Sequence, residues 1–83
     1  MIVEVAQEHI DNGTRKSCES CPIALAINDL GYYAHVNEDN IYIEGVYANN
    51  YETSEDIAEF IHNFDIGIKV EPFMFETNDL GIY

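Results

Sequence analysis

The residues with the most distinctive chemistry are Cys18 and Cys21, in the run Cys18-Glu19-Ser20-Cys21-Pro22. A Cys-x-x-Cys pair at a helix N-terminus can stabilise a thiolate, because the helix dipole and the free amides favour negative charge there. Pro22 suits the first helical position and Cys21 the cap, so a helix is predicted to start at this pair. The surroundings argue against thiol–disulfide exchange. No βαβ unit frames the pair, and no aromatic residue or Gly-Pro step shapes the loop. Zinc is the second possibility. It needs further ligands, and His9, His35 and His62 are the available imidazoles, with His9 the first candidate to join Cys18 and Cys21. There is no second Cys-x-x-Cys and no closely spaced histidine pair to support a zinc site. The favoured reading is structural, with Cys21 capping the helix and Cys18 packing beside it. No metal and no cofactor are expected.

Other catalytic patterns are missing. The chain has no Gly-x-Ser-x-Gly, no His-Glu-x-x-His and no glycine loop that would cradle a phosphate. His62 falls on or beside the apolar stripe of its helix and is read as a hydrogen-bonded histidine at the edge of the core. The chain is expected not to be an enzyme.

The elements that must position these residues follow from periodicity and punctuation. Ile2 to Ala6 alternates and predicts a strand. His9 to Gly13 predicts one helical turn, stopped by Asn12-Gly13. Ile23, Ala26, Ile27 and Leu30 have helical spacing after Pro22, with Gly31 as the stop. Tyr32–Val36 and Ile41–Ala48 predict two strands joined through Asn37–Asn40, and Asn49–Glu52 reads as a loop. Thr53 is the predicted cap of another helix, with Asp56 three residues on. Ile57, Phe60, Ile61 and Phe64 form the stripe of that helix. Lys69–Thr77 predicts a last strand, bulged or at an edge because of Pro72. Asn78–Tyr83 reads as a tail. The order β-(α)-α-β-β-α-β predicts a single α+β domain over residues 1–83: a small antiparallel sheet of about four strands with two main helices on one face.

Charge is the strongest compositional signal. In 83 residues there are 3 Lys+Arg and 16 Asp+Glu, giving a formal net charge of -13 and a pI near 4.1. Such a chain cannot neutralise a phosphate backbone, so direct nucleic-acid binding is excluded, as is attraction to an anionic membrane. Hydrophobic residues make up 47%, enough for a core rather than a disordered acidic tail. No apolar run approaches the roughly 18–20 residues that span a bilayer. The first residues lack a basic stretch ahead of an apolar one, so no signal peptide is expected. A cytoplasmic protein is the expectation.

The acids are unevenly placed. Glu52, Glu55, Asp56 and Glu59 crowd the polar side of the helix after Thr53. The helix dipole favours acids in the first turn by about 0.3–1 kcal/mol each, which accounts for Glu55 and Asp56. Glu59 stands four residues after Glu55, where like charges cost about 0.2–0.5 kcal/mol, and no lysine or arginine on this helix offsets them. Glu38, Asp39 and Glu44 extend the charge over the hairpin. Tyr32, Tyr33, Tyr42, Tyr47 and Tyr51 cluster there too, and tyrosine beside carboxylate makes a rigid, hydrogen-bonding contact surface. The plain alternative for the acids is solubility, and for the tyrosines cross-strand pairing.

Four segments resemble a group of small phage-encoded proteins. They are Glu8-His9-Ile10, Cys18-x-x-Cys21-Pro22-Ile23-Ala24-Leu25-Ala26, Phe60-Ile61-x-x-Phe64-Asp65 and Val70-Glu71-Pro72-Phe73-x-Phe75. The resemblance covers most of the chain and carries no catalytic residues with it. It implies a small protein made in the host cytoplasm during infection. Small acidic phage proteins as a class inhibit host restriction, CRISPR and repair systems, some as DNA mimics. The combined expectation is a non-enzymatic inhibitor, monomer or dimer. It would bind a host nucleic-acid-binding protein through Glu38, Asp39, Tyr42, Glu44, Tyr51, Glu52, Glu55, Asp56 and Glu59. A Cys18/Cys21 redox or zinc module is the rival. A self-assembling phage component, using the Phe73-Met74-Phe75 strand, is the third reading.

Overall fold

The computed structural model describes residues 1–45 and 50–82. Tyr47 and the 46–48 end of the predicted second hairpin strand lie outside the described residues. The chain order is β1 (Ile2–Val5), α1 (Gln7–Asn12), α2 (Pro22–Asp29), β2 (Tyr33–Val36), β3 (Asn40–Glu44), β4 (Asn50–Glu52), α3 (Glu55–Asp65) and β5 (Phe73–Glu76), followed by a short 3-10 turn, Thr77–Asp79. The α+β class is found, and the predicted elements occur in the predicted order with one strand added.

The strands number five rather than four, and they divide between two antiparallel sheets. β1 pairs with β5, and β2, β3 and β4 form the second sheet in that order. In the small sheet Val3 faces Phe75 and Val5 faces Phe73. In the larger one Ala34 faces Ile43 and Ile41 faces Tyr51. The fifth strand is the segment predicted as a loop, and burial of the Tyr51 ring explains it. The last strand is shorter than predicted. Pro72 offers no amide for a ladder, and β1 supplies only four residues of partner.

Local chemistry sets the helix starts. The Cys21 Sγ accepts from the Ala24 amide at 3.4 Å, with Pro22 in the first turn. Gly31 follows the helix at φ 94°, a left-handed conformation that favours glycine. α3 begins one residue later than predicted. Ser54, not Thr53, accepts from the Ile57 amide, at 3.3 Å. Thr53 is engaged elsewhere: its amide donates to the Asp39 carbonyl at 3.2 Å and its hydroxyl to the Glu38 carbonyl.

α2 is the shared core element. It packs against both β1 and β2, and Ile23, Ala24 and Ile27 are fully buried. Burying one such isoleucine contributes about 1.5–3 kcal/mol. Ala34, Val36, Ile41, Ile43 and Tyr51 form the inner face of the larger sheet, and Ile57, Phe60 and Ile61 of α3 join the same cluster. The predicted tail is tied down. Glu52 donates its amide to the Gly81 carbonyl at 2.7 Å, and Ile82 bridges Tyr51. The N-terminal ammonium meets Glu76 at 2.6 Å, and this contact holds the Glu76 carboxyl below its usual range. Among the described residues no helix is long and apolar enough to cross a membrane.

Candidate partner-binding face

Ile57, Phe60, Ile61 and Phe64 turn one side of α3 to the core. The 3.6-residue period therefore leaves Glu55, Glu59 and His62 in one outer stripe, with Asp56 beside it, all exposed. The β2–β3 turn is built by Asn37, whose side-chain oxygen accepts from the Asp39 and Asn40 amides at 2.8 Å each. This turn is fastened to the start of α3 through Thr53, and Glu38 Oε1 lies 3.6 Å from His62 Nδ1. The fold thus brings Glu38 and Asp39 to the acidic side of α3, although 16 or more residues separate them in sequence. Glu52 stands next to this group, opposite Asn40 on the neighbouring strand.

The few cations lie at the margins. The Arg15 guanidinium packs against Gly67 beyond the C-terminal end of α3, and the Lys16 amide donates to Asp65 at 2.8 Å. Lys16 shares a shallow groove with Glu38, and Lys69 shares one with Asp56 and Glu59. Among the described residues, the one ion pair made by a lysine or arginine side chain is Lys69–Glu71, at 3.6 Å. Glu38, Asp39, Glu52, Glu55, Asp56 and Glu59 are all exposed, and among the described residues none is paired with lysine or arginine.

Of the other predicted contact residues, two lie on the outer side of the larger sheet and one lies in the core. Tyr42 is half-buried and Glu44 exposed, both on the outer side of the larger sheet. Tyr51 is 8% exposed and belongs to the core. Strand alternation decides this: Tyr51 shares the inner face with its partner Ile41, so its ring is not available to a partner protein. His62 is also exposed rather than at the core edge, because it falls on the Glu55–Glu59 stripe.

The cysteine readings change as well. Cys18 is exposed and Cys21 is buried. Cys18 is therefore not a packing residue; it is its backbone carbonyl that matters, accepting from the Val36 amide at 2.9 Å at the edge of β2. Burial pushes the Cys21 thiol above its ordinary range, opposite to what exchange chemistry needs. Native protein treated with an alkylating reagent should lose one thiol promptly and the second only on unfolding. Mass spectrometry with time reads this, and equal rates at the two cysteines would show that Cys21 is not held as the cap.

His9 does not join the cysteines. Among the described residues, the one cluster of three His, Cys, Asp or Glu ligand atoms is Glu8, His9 and Asp29. His9 Nδ1 accepts from the Ala6 amide at 2.9 Å, so Nε2 carries the proton and donates to Asp29 Oδ2 at 2.6 Å. A metal on Nε2 would have to displace that proton and leave an imidazolate. His9 is instead a buried tie between α1 and α2. Neither this tie nor the Glu19–Tyr33–His35 group on the outer sheet is signalled in the sequence, since each joins residues 14 to 20 positions apart.

Fold and site together define a small α+β domain with exposed acids gathered on α3 and the adjoining β2–β3 turn, and further exposed acids on the outer side of the larger sheet. Comparison with known protein families, with curated proteins and with solved structures gives no match.

Proposed function

We propose that this chain is a non-enzymatic inhibitor of the phage type. It acts in the host cytoplasm by occupying the nucleic-acid-binding surface of a restriction- or CRISPR-type defence protein. The observation that carries the reading is the gathering of Glu38 and Asp39 onto the acidic side of α3, with no lysine or arginine paired to them among the described residues. Dispersed charge would serve solubility as well as charge gathered on one rigid face. Gathered charge, in addition, complements a basic groove and steers encounter with it. The inhibitor would block DNA or RNA without touching either.

The test is capture from nuclease-treated host lysate on the tagged full chain, eluted with rising salt and with duplex DNA or RNA as competitors. A nucleic-acid-binding protein released by moderate salt and by competitor is the expected result. A partner indifferent to both would remove the charge-based reading.

A further inference from the structure

The larger sheet is covered by helices on one side only. Its outer side carries Tyr33 and His35 from β2, Asn40, Tyr42 and Glu44 from β3, and Asn50 and Glu52 from β4. The rows run Tyr33–Glu44, His35–Tyr42–Asn50 and Asn40–Glu52. No lysine or arginine occurs on these three strands. Glu19 reaches the same side from the loop before α2, with its Oε1 3.6 Å from His35 Nε2. The Tyr33 hydroxyl lies 3.4 Å from that same nitrogen, and the two rings meet edge to face at 5.4 Å.

Tyr33 therefore stands between two carboxylates, Glu19 from the loop and Glu44 directly across the ladder. Glu19 Oε1 and the Tyr33 hydroxyl both approach His35 Nε2, at 3.6 and 3.4 Å, so that carboxylate lies near the ring's polar tip, and it pushes the Tyr33 phenol above its usual range. Tyr33 is 44% exposed, so part of its ring is open to a ligand beside its contact with His35. A flat cation with several N–H donors suits this arrangement: it can stack on the ring while donating to carboxylates at its rim. An ammonium is a compact charge with three donors: it can reach carboxylates and lie over a ring, but it cannot stack on the ring as a plane.

We propose that the outer face of the β2–β3–β4 sheet, centred on Tyr33 between Glu19 and Glu44, receives arginine side chains of a basic protein partner. This rests on the proposed function and deepens it. The α3 acids supply charge that lysine and arginine satisfy alike, and the sheet face supplies the preference for arginine. The Asn40–Glu52 row adjoins the β2–β3 turn, whose Glu38 meets His62 of α3, so the turn lies between the two groups of acids.

The test uses isotopically labelled full chain titrated with octa-arginine and with octalysine at about 150 mM salt, where long-range attraction is screened within roughly 8 Å. Octa-arginine is expected to bind more tightly by about two- to fivefold for each ring engaged, and to shift the amides of Tyr33, Tyr42 and Glu44. Tyr33→Leu should bring octa-arginine affinity down to near that of octalysine, while Tyr33→Phe should retain the preference. Equal affinities, with shifts confined to Glu38, Asp39 and α3, would overturn the sheet-face assignment and leave the proposed function standing. If neither peptide bound, both would be overturned.

Discussion

Changing Glu55 and Glu59 to lysine together should weaken binding to the proposed basic partner by at least about tenfold at physiological salt, with the domain still folded. Like charges brought together at an interface cost several kcal/mol, and about 1.4 kcal/mol already gives the tenfold loss. The two side chains lie in one exposed stripe of α3, beside Glu38 and Asp39, so both reversals fall on the same patch. Their effect on stability is small because the contributions oppose. Lysine at position 55 loses a favourable dipole contact worth about 0.3–1 kcal/mol. The two introduced lysines stand one helical turn apart and repel, but the one at position 59 is also three residues from Asp56, so repulsion and attraction nearly balance. Circular dichroism should show an unchanged helix signal and a melting temperature within a few degrees, on the order of 1 kcal/mol. Affinity measured at several salt concentrations completes the test, because the variant should also show a shallower salt dependence. Undiminished affinity in a folded double variant would mean that α3 is not the binding face.

Ile27→Ala should destabilise the domain by about 2–5 kcal/mol, the range for large-to-small changes in a core that cannot collapse around the gap. Ile27 has no exposed surface. It lies on the helix that packs against strands from both sheets, so two sheets and a helix would have to move to fill the void. Total stability for a small domain is roughly 5–15 kcal/mol, and a domain of this size is expected near the lower end of that range. The substitution thus removes a large part of it and should lower the melting temperature by roughly 10–30 °C. Urea unfolding gives the direct reading, with Ile66→Ala as the control because Ile66 is 56% exposed. The control should stay within about 0.5 kcal/mol. Similar losses for the two variants would contradict the role of α2 as the element that joins the sheets.

Much of the local architecture is legible in the residues. Cys21-Pro22 marks the start of α2 and Gly31 its end, because caps and left-handed stops act over three or four positions. The stripe Ile57, Phe60, Ile61 and Phe64 identifies α3 and, by difference, its acidic outer side. Glu55, Asp56 and Glu59 are therefore exposed for a reason written in their own spacing. Strand alternation equally assigns Ile41 and Ile43 to the core and Tyr42 to the outer face.

Tyr51 shows where that reasoning stops. The three residues Asn50–Glu52 are too few to show a period, and only pairing with β3 in a defined register turns the Tyr51 ring inward. The cap of α3 follows the same rule: Thr53 and Ser54 are equivalent locally, and contact with Glu38 and Asp39 engages Thr53, leaving Ser54 to cap. His9 meets Asp29 across 20 positions, and the N-terminus meets Glu76 across 75.

Composition and short-range pattern by themselves determined the acidity of this protein, its α+β class, the order of its main elements and the exposed side of α3. The tertiary structure alone decided the division into two sheets, the placement of Glu38 and Asp39 beside α3, the burial of Tyr51 and the framing of Tyr33 by Glu19 and Glu44. The physical reason is range. Periodicity, capping and turn chemistry act within one or two helical turns of chain, whereas register and side-chain proximity depend on which distant segments the core brings together.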